Sequence, residues 1–207
     1  MHFLSRIILN DSMRETMRAL AYPIVMHGAV ESCFSHDHGR VLWRVDYLQG
    51  KCCLLMVSDD VPVFTQLQGQ LGSLDETGQS KPYDPFLERI ENGQNWLFRL
   101  KANPIRSALH DEKSRGHVYA HVTVEQQRKW LLERCEKHGF AVHEDDFEVK
   151  DTRWYGFNHG DSRMVRMKTA TFEGSLSVTD ADLLRETLVC GIGKEKAYGC
   201  GLMTITK

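Results

Sequence analysis

The chain has 207 residues, of which 42% are hydrophobic and 26% are charged, and its formal net charge at pH 7 is −2. These values are typical of a globular protein and exclude both wholesale disorder and a highly basic coat. The length suits one large domain or two domains of roughly 100 residues each. Basic residues outnumber acidic ones only after residue 95, so phosphate contacts are expected in the second half.

The cysteines stand at positions 33, 52, 53, 135, 190 and 200, and no two of them form a CxxC pair. The first residues, MHFLSRIILNDSMRE, carry no cleavable signal pattern. No apolar run approaches the roughly 18 residues that a membrane helix needs. The sequence therefore predicts a cytoplasmic protein with reduced thiols and no membrane contact.

The first half of the chain predicts the order strand, helix, strand, strand and weak helix. The S-x-x-E pattern at Ser12–Glu15 predicts a capping box at the start of the first helix. Pro23 fits the first turn of a second helix, with Tyr22 near the joint. Residues 68–85 are rich in Gly, Ser, Asp and Pro and are predicted to form a loop. The predicted strands are 3–10, 41–47 and 52–58, and the predicted helices are 12–20, 23–34 and 63–68.

The second half repeats a similar order. Strands are predicted over 95–102, 147–155, 163–178 and 202–206, a short strand or extended segment over 117–122, and helices over 124–138 and 181–190. Two copies of a βαββαβ unit follow from this order. We therefore predict an α+β protein of tandem ferredoxin-like (RRM-like) βαββαβ domains with antiparallel sheets, divided into residues 1–94 and 95–207.

A glycine-rich segment between the last helix and the last strand is the sharpest local signal. It reads GIGKEKAYGCGL over residues 191–202. Glycines allow a ligand to approach the backbone and expose N–H groups to phosphate, and Lys194 and Lys196 add positive charge. The spacing of a Walker A loop is absent. A tight connection with solvated lysines is the alternative.

Four segments of the chain resemble segments of a known protein family. The glycine-rich segment is similar to that of the repeat-associated RAMP proteins. Three further segments resemble the CasE branch, and they occur in the expected order: MHFLSRIILN at the N-terminus, LFRLKANP at 97–104, which is similar to a family segment FRLRANP, and TFEGSLSV at 171–178. The chain thus resembles the CasE family of CRISPR repeat-processing endoribonucleases over nearly its whole length.

The resemblance implies a function. Members of this family use paired RRM-like domains to bind the stem-loop of a CRISPR repeat transcript and cleave once at its 3′ base, without a metal or another cofactor. The ribose 2′-OH attacks the adjacent phosphate, leaving a 2′,3′-cyclic phosphate and a 5′-OH. The product stays bound within a type I-E Cascade complex, so the implied partners are precursor and mature CRISPR RNA and the other Cascade subunits.

The resemblance also indicates the catalytic residue. This chemistry needs groups that move protons near neutral pH, for which histidine is suited. The family histidine lies within a pattern like L-A-N-P-Y-E-M-H, and the matching residues here are Leu20, Ala21, Pro23, Met26 and His27. His27 is therefore predicted to be catalytic, as acid or base. Some relatives carry a tyrosine three residues earlier, where this chain has Ile24, so Tyr22 is considered as a helper.

Basic side chains are predicted to hold the RNA. Arg163, Arg166 and Lys168 follow one another along a predicted strand or hairpin arm that suits a duplex groove. The resemblance favours Arg163 among them. Arg99 and Lys101 share one strand face, and Lys194 and Lys196 belong to the glycine-rich segment. For each of these residues a solvated surface position is the alternative.

The sequence also leaves two other functions open. The segment Cys33–His38 holds four possible metal ligands, but no second pair follows at zinc-finger spacing, so no metal site is predicted. Replacement of the family tyrosine by Ile24 raises the alternative of a guide-RNA-binding scaffold that does not cleave. A ferredoxin-like binder of a metabolite or metal, unrelated to RNA, is the second alternative, for which salt-dependent hairpin binding is the discriminating measurement.

Overall fold

The computed structural model describes residues 1–35, 37–72, 77–108, 117–159 and 163–207. The first half contains β1 Phe3–Ile8, α1 Arg14–Ala21, α2 Pro23–Glu31, β2 Leu42–Leu48, β3 Lys51–Ser58, α3 Thr65–Leu71, β4 Gln79–Pro82 and α4 Asp84–Leu87. The second half contains β5 Asn95–Ala102, β6 Ile105–Ala108, β7 His117–Ala120, α5 Val124–Cys135, β8 Phe140–Ala141, β9 Phe147–His159, β10 Arg163–Val178, α6 Ala181–Cys190 and β11 Met203–Thr206.

The two halves build sheets of the same topology. The first sheet has the order β2-β3-β1-β4, and the second has β11-β5-β10 with β9 on the far side of β10. All of these pairings are antiparallel. In each half the first strand lies between the third and fourth strands of its unit, as expected for a βαββαβ repeat. The predicted class of tandem ferredoxin-like domains with antiparallel sheets is confirmed.

The fourth strand of the first sheet lies where a loop was predicted. β4 pairs with β1 inside residues 68–85, so the loop prediction is wrong for Gln79–Pro82. The strand reads QSKP and has no apolar alternation, because it is an edge strand with one side unpaired. The other end of that range is also structured, since α3 continues to Leu71.

The predicted capping box at Ser12–Glu15 is wrong. The helix begins two residues later, Met13 is its N-cap, and no side chain caps it. The Ser12 hydroxyl instead donates to Asn10 Oδ1 at 2.6 Å, which holds the serine in the preceding turn. A capping box does exist in α5, where Thr123 and Gln126 bond each other's backbone N–H groups.

The β6–β7 hairpin was only half predicted. The sequence indicated an extended segment over 117–122, and the structure pairs β7 with β6, which immediately follows the Asn103-Pro104 step. After α5, a single 3-10 turn over Glu136–His138 leads to Gly139, whose φ of 76° ends the helical path as predicted.

The cores of the two units meet. α1, α2 and α3 cover one face of the first sheet, with Met26, Val30 and Leu54 in that cluster. Leu42 and Val57, on the other face, belong to the same cluster as the core of the second unit. All strands of the first sheet precede residue 94 and those of the second follow it. The division into domains at that point remains a prediction.

β9 and β10 continue beyond the second sheet. β10 pairs with β5 only from Ala170 onward, whereas its earlier part, Arg163–Thr169, pairs with Arg153–His159 of β9 alone. We call this two-stranded extension the hairpin arm. In the described part of the chain, no helix is long and apolar enough to cross a membrane. The cysteines are thiols rather than disulfides.

Candidate functional site

His27 lies at the edge of the helical layer. Pro23 is the first residue of α2, and Tyr22 before it is extended, with φ −122° and ψ 98°. Met26 and Val30 on the inner face of the helix are buried. The His27 side chain is 30% exposed, so a substrate can reach it while the helix holds it in place.

A carboxylate lies behind the imidazole. Glu31, one helical turn after His27, places Oε1 3.5 Å from His27 Nδ1 and Oε2 3.1 Å from His38 Nε2. His38 in turn stacks on Phe34, with ring centroids 4.3 Å apart. A carboxylate at Nδ1 favours the tautomer with its proton there and leaves Nε2 for exchange with a substrate.

The glycine-rich loop supplies an aromatic wall beside His27. The ring of Tyr198 meets the His27 imidazole edge-on, with centroids 6.0 Å apart, and meets Phe157 of the hairpin arm at 4.8 Å. The loop is fixed to the first sheet, because Trp43 Nε1 donates to the Ala197 carbonyl at 3.1 Å. Gly199 has a φ of 77°, and a Cβ there would lie 2.5 Å from the Trp43 ring. Glycine is therefore required for this contact.

Tyr22 lies at the joint between the two helices, as predicted. Its side chain is 48% exposed, and it lines a groove with Phe157 and Met164 of the hairpin arm. Ile24, which replaces the tyrosine of some relatives, packs against the buried cluster of the arm. No contact joins Tyr22 to His27 among the described residues, and its role as a helper remains a prediction.

The basic residues of the hairpin arm differ in exposure. Arg166 is exposed. Lys168 is only 7% exposed, and its ammonium donates to the Val122 carbonyl at 2.8 Å and lies over the Trp154 ring. Lys168 is therefore less accessible than Arg166, because the segment before α5 covers the base of the arm. RNA binding by Lys168 stays a prediction. The side chain of Arg163 lies outside the described residues.

Arg99 and Lys101 are engaged with neighbouring groups. The Arg99 guanidinium makes ion pairs with Asp46 at 3.1 Å and Glu173 at 2.7 Å. Its buried Nε lacks hydrogen-bond geometry to any described partner. The Lys101 ammonium donates to the Tyr155 hydroxyl at 3.4 Å. RNA binding by either residue stays a prediction.

The two lysines of the glycine-rich loop also differ. Lys194 is exposed. The Lys196 ammonium donates to the Cys190 carbonyl and so closes the C-terminal end of α6. Burial, followed by the charge of Arg40, lowers the pKa of Lys196. Lys194 is the better placed of the two for phosphate.

Two site residues were missed by the sequence reasoning. Glu31 carries a signal, since it stands four residues after His27 in a predicted helix and such pairs face each other. Tyr198 was part of the glycine-rich segment, but nothing local connects it to His27. A cleft lined by Lys101, Arg153 and Tyr155 also adjoins Tyr198, which brings further cations near this ring.

The structure describes most of the segment Cys33–His38, for which no metal site is predicted. Cys33 is buried, its thiol donates to the Ala29 carbonyl at 3.7 Å, and burial raises its pKa to about 11. His38 faces Glu31, and His36 lies outside the described residues. Within the described ranges, no three His, Cys, Asp or Glu side chains are grouped to hold a metal ion. The absence of a metal site stays a prediction.

Comparison with known proteins identifies the family. The family model described as "CRISPR associated protein" matches residues 2–207. The chain belongs to this family.

Among its relatives, a Thermus thermophilus protein named CRISPR-associated endoribonuclease Cse3 is 29% identical over 219 aligned positions, covering 98% of this chain and 99% of the relative. An Escherichia coli protein named CRISPR system Cascade subunit CasE is 32% identical over 124 positions, covering 56% of this chain and 60% of the relative. A solved structure of the endoribonuclease Cse3 bound to a 19 nt RNA superimposes with a TM-score of 0.79 at 25% identity and covers 100% of both chains. This CRISPR-associated protein therefore resembles Cse3 from end to end in sequence and fold.

Proposed function

We propose that the chain is an endoribonuclease that binds the stem-loop of a CRISPR repeat transcript and cuts it at the 3′ base of the hairpin. The observation that carries the proposal is the placement of His27, backed by the Glu31 carboxylate and flanked by Tyr198 of the glycine-rich loop. The full-length relative from Thermus thermophilus is named an endoribonuclease, which supports the same activity here.

The reaction is an internal transesterification. The ribose 2′-oxygen forms a bond to the adjacent phosphorus as the bond to the 5′-oxygen of the next nucleotide breaks, giving a 2′,3′-cyclic phosphate and a 5′-OH. One proton leaves the 2′-hydroxyl and one reaches the departing oxygen. His27 moves one of these protons through Nε2, while Glu31 holds the imidazole at Nδ1.

The hairpin arm supplies the RNA-binding surface in this proposal. Arg166 is exposed on it, Arg163 begins its second strand, and α2 with His27 packs against its buried side through Ile24. Cationic side chains on an extended arm can contact both backbones of an A-form stem. Retention of the cut RNA in a type I-E Cascade complex is part of the proposal, supported by the Escherichia coli relative, which is named a Cascade subunit.

Cleavage of a cognate repeat hairpin in EDTA tests the activity. We expect a single cut with a 2′,3′-cyclic phosphate on the 5′ fragment. His27→Ala is expected to lower the rate by roughly 10²–10⁴-fold while hairpin affinity changes little. The matched control is His143→Ala, because His143 is an exposed histidine of the second unit. Cutting by the His27 variant at the control rate would reject His27 as the proton-transfer residue.

A non-cleaving guide-RNA scaffold is the second candidate function. Ile24 occupies the place of the tyrosine of some relatives, and its side chain is used in packing against the arm. The same assay separates the two candidates: a hairpin that the unmodified protein binds tightly but never cuts favours the scaffold. Arg163→Ala is expected to weaken binding and to lower its salt dependence in either case.

A further inference from the structure

A wide basic groove lies on the second unit, on the opposite end of the glycine-rich loop from Tyr198. It measures about 930 Å³ and is bounded by α5, by β6 and by the loop itself. Its cations are Arg106, Lys129, Arg134, Lys137 and Lys194, and Glu133 is the only carboxylate among the described residues that line it. Neither the hairpin arm nor His27 belongs to this groove.

Most of these cations are available to a ligand. Lys129 is 77% exposed and has only a long contact, 3.9 Å, with Glu133, and Lys137 and Lys194 are exposed. Arg134 already has partners within the protein, since its guanidinium lies over the Trp130 ring and donates to the Trp130 carbonyl. A single glutamate thus leaves a clear excess of positive charge, which attracts a polyanion.

Two histidines at the groove experience this charge. Burial lowers the pKa of His121, and the charges of Arg106 and Arg134 lower it further, whereas the charge of Glu133 acts to raise it. Burial also lowers the pKa of His138, and the charges of Lys196 and Arg134 lower it further, whereas the charge of Glu186 acts to raise it. Burial is the larger cause of both shifts, and the cations of the groove add to it.

An unsatisfied acceptor also lines this groove. Asn103, which follows β5, is 5% exposed, and its buried Oδ1 has no hydrogen-bond partner among the residues that the structure describes. A buried oxygen without a partner is unfavourable unless a ligand brings a donor. Phosphate oxygens bring no proton at neutral pH, whereas a ribose 2′-hydroxyl does, and deoxyribose has none.

One loop borders both the groove and the candidate active site. Gly193 and Lys194 line the groove, and Tyr198 of the same loop contacts His27. Lys129 lies in α5 and Lys137 in the 3-10 turn that follows it, and both line the groove with Lys194 of the loop.

We propose that this groove is a second RNA-binding surface, in which Lys129, Lys137 and Lys194 contact phosphates of the substrate strand and Asn103 accepts a hydrogen bond from a ribose 2′-hydroxyl. The proposal rests on the proposed function, because it takes RNA as the substrate. It adds a contact surface outside the hairpin arm and a residue that distinguishes RNA from DNA.

A pair of double variants tests the phosphate contacts. Lys129→Ala/Lys137→Ala is compared with Lys51→Ala/Lys81→Ala, which removes the same charge from exposed lysines of the first sheet. Binding of a repeat hairpin with single-stranded flanks is titrated at several salt concentrations. For the groove variant we expect about tenfold weaker binding and a log–log salt slope shallower by roughly 1.4–1.8, the value for two lost phosphate contacts. The control variant is expected to bind like the unmodified protein.

A deoxyribose scan tests Asn103. Single 2′-deoxy substitutions along the hairpin and its flanks should weaken binding to the unmodified protein roughly two- to tenfold at one position, the range for one hydrogen bond. With Asn103→Ala that same substitution should have no further effect. Because Asn103 is buried, the lysine variants decide the question if the asparagine variant fails to fold.

The outcomes separate this proposal from the proposed function. Cleavage by the unmodified protein reports on the function alone. Unchanged affinity and an unchanged salt slope in Lys129→Ala/Lys137→Ala would overturn the groove as an RNA site, whether or not cleavage is normal. Binding of an acidic protein surface to the groove would not rescue the proposal.

Discussion

At the scale of single residues, the contact between His27 and Glu31 determines how the imidazole can act. The resemblance to a known family predicted His27, whereas Glu31 was missed although the four-residue spacing in a predicted helix carries a signal for it. Tyr198 was beyond sequence reasoning, because its contact with His27 joins residues that are far apart in the sequence. Side chains that meet only through tertiary packing leave no periodic signal.

Glu31→Gln tests the carboxylate as a positioning group. Glutamine keeps the shape of the side chain but removes the charge that favours a proton on Nδ1. We expect the cleavage rate at saturating enzyme to fall about fivefold, the equivalent of ~1 kcal/mol, with hairpin affinity and melting temperature unchanged. The control is Glu15→Gln, an exposed glutamate at the start of α1. An equal loss of rate in both variants, or a lower melting temperature in Glu31→Gln, would contradict the positioning role.

At the scale of elements, the sequence placed Arg163, Arg166 and Lys168 along a strand or hairpin arm but did not reveal what covers part of that arm. The arm is open near its tip and covered at its base by the segment that ends at Val122. β4 was missed for a related reason, because an edge strand of polar residues has no alternation to detect. Long amphipathic or apolar elements such as β5, β10 and α6 were predicted with their observed bounds.

Arg166→Ala and Lys168→Ala, two positions apart on one strand, should affect different properties: the first RNA binding and the second stability. Arg166 is exposed, so its loss is expected to leave stability unchanged and to reduce the salt slope of RNA binding by roughly 0.7–0.9. Lys168 is buried and hydrogen-bonded, so its loss should reduce the free energy of unfolding by about 1–3 kcal/mol. Urea denaturation measures stability and RNA titration measures the salt slope. The same change in both quantities for both variants would contradict the distinction between an exposed Arg166 and a buried Lys168.

At the scale of the whole molecule, the two sheets are joined by a buried polar network around Arg44. Its guanidinium is 2% exposed and pairs with Asp46, and it donates to the carbonyls of Arg99 and Leu202 at 2.8 and 2.9 Å. The sequence predicted two similar units but not how they pack. An arginine in an alternating strand gives no indication that its partners lie on strands of the other sheet.

Arg44→Met is expected to destabilise the whole protein. Methionine fills part of the volume but leaves the Asp46 carboxylate buried without its main partner, which costs about 3–5 kcal/mol in comparable buried pairs. Urea unfolding should show one transition at a lower midpoint. Arg14→Met, at an exposed position on α1, is the control, with an expected change within about 0.5 kcal/mol. A midpoint shift no larger than that of the control would rule out a stabilising role for the network.

The meeting of His27 with Tyr198 has a consequence for synthesis of the protein. A ribosome delivers Tyr198 long after His27, so a chain that terminates before the glycine-rich loop lacks the aromatic wall beside this histidine. Under the proposed function, we expect such truncated chains to leave the repeat hairpin uncut.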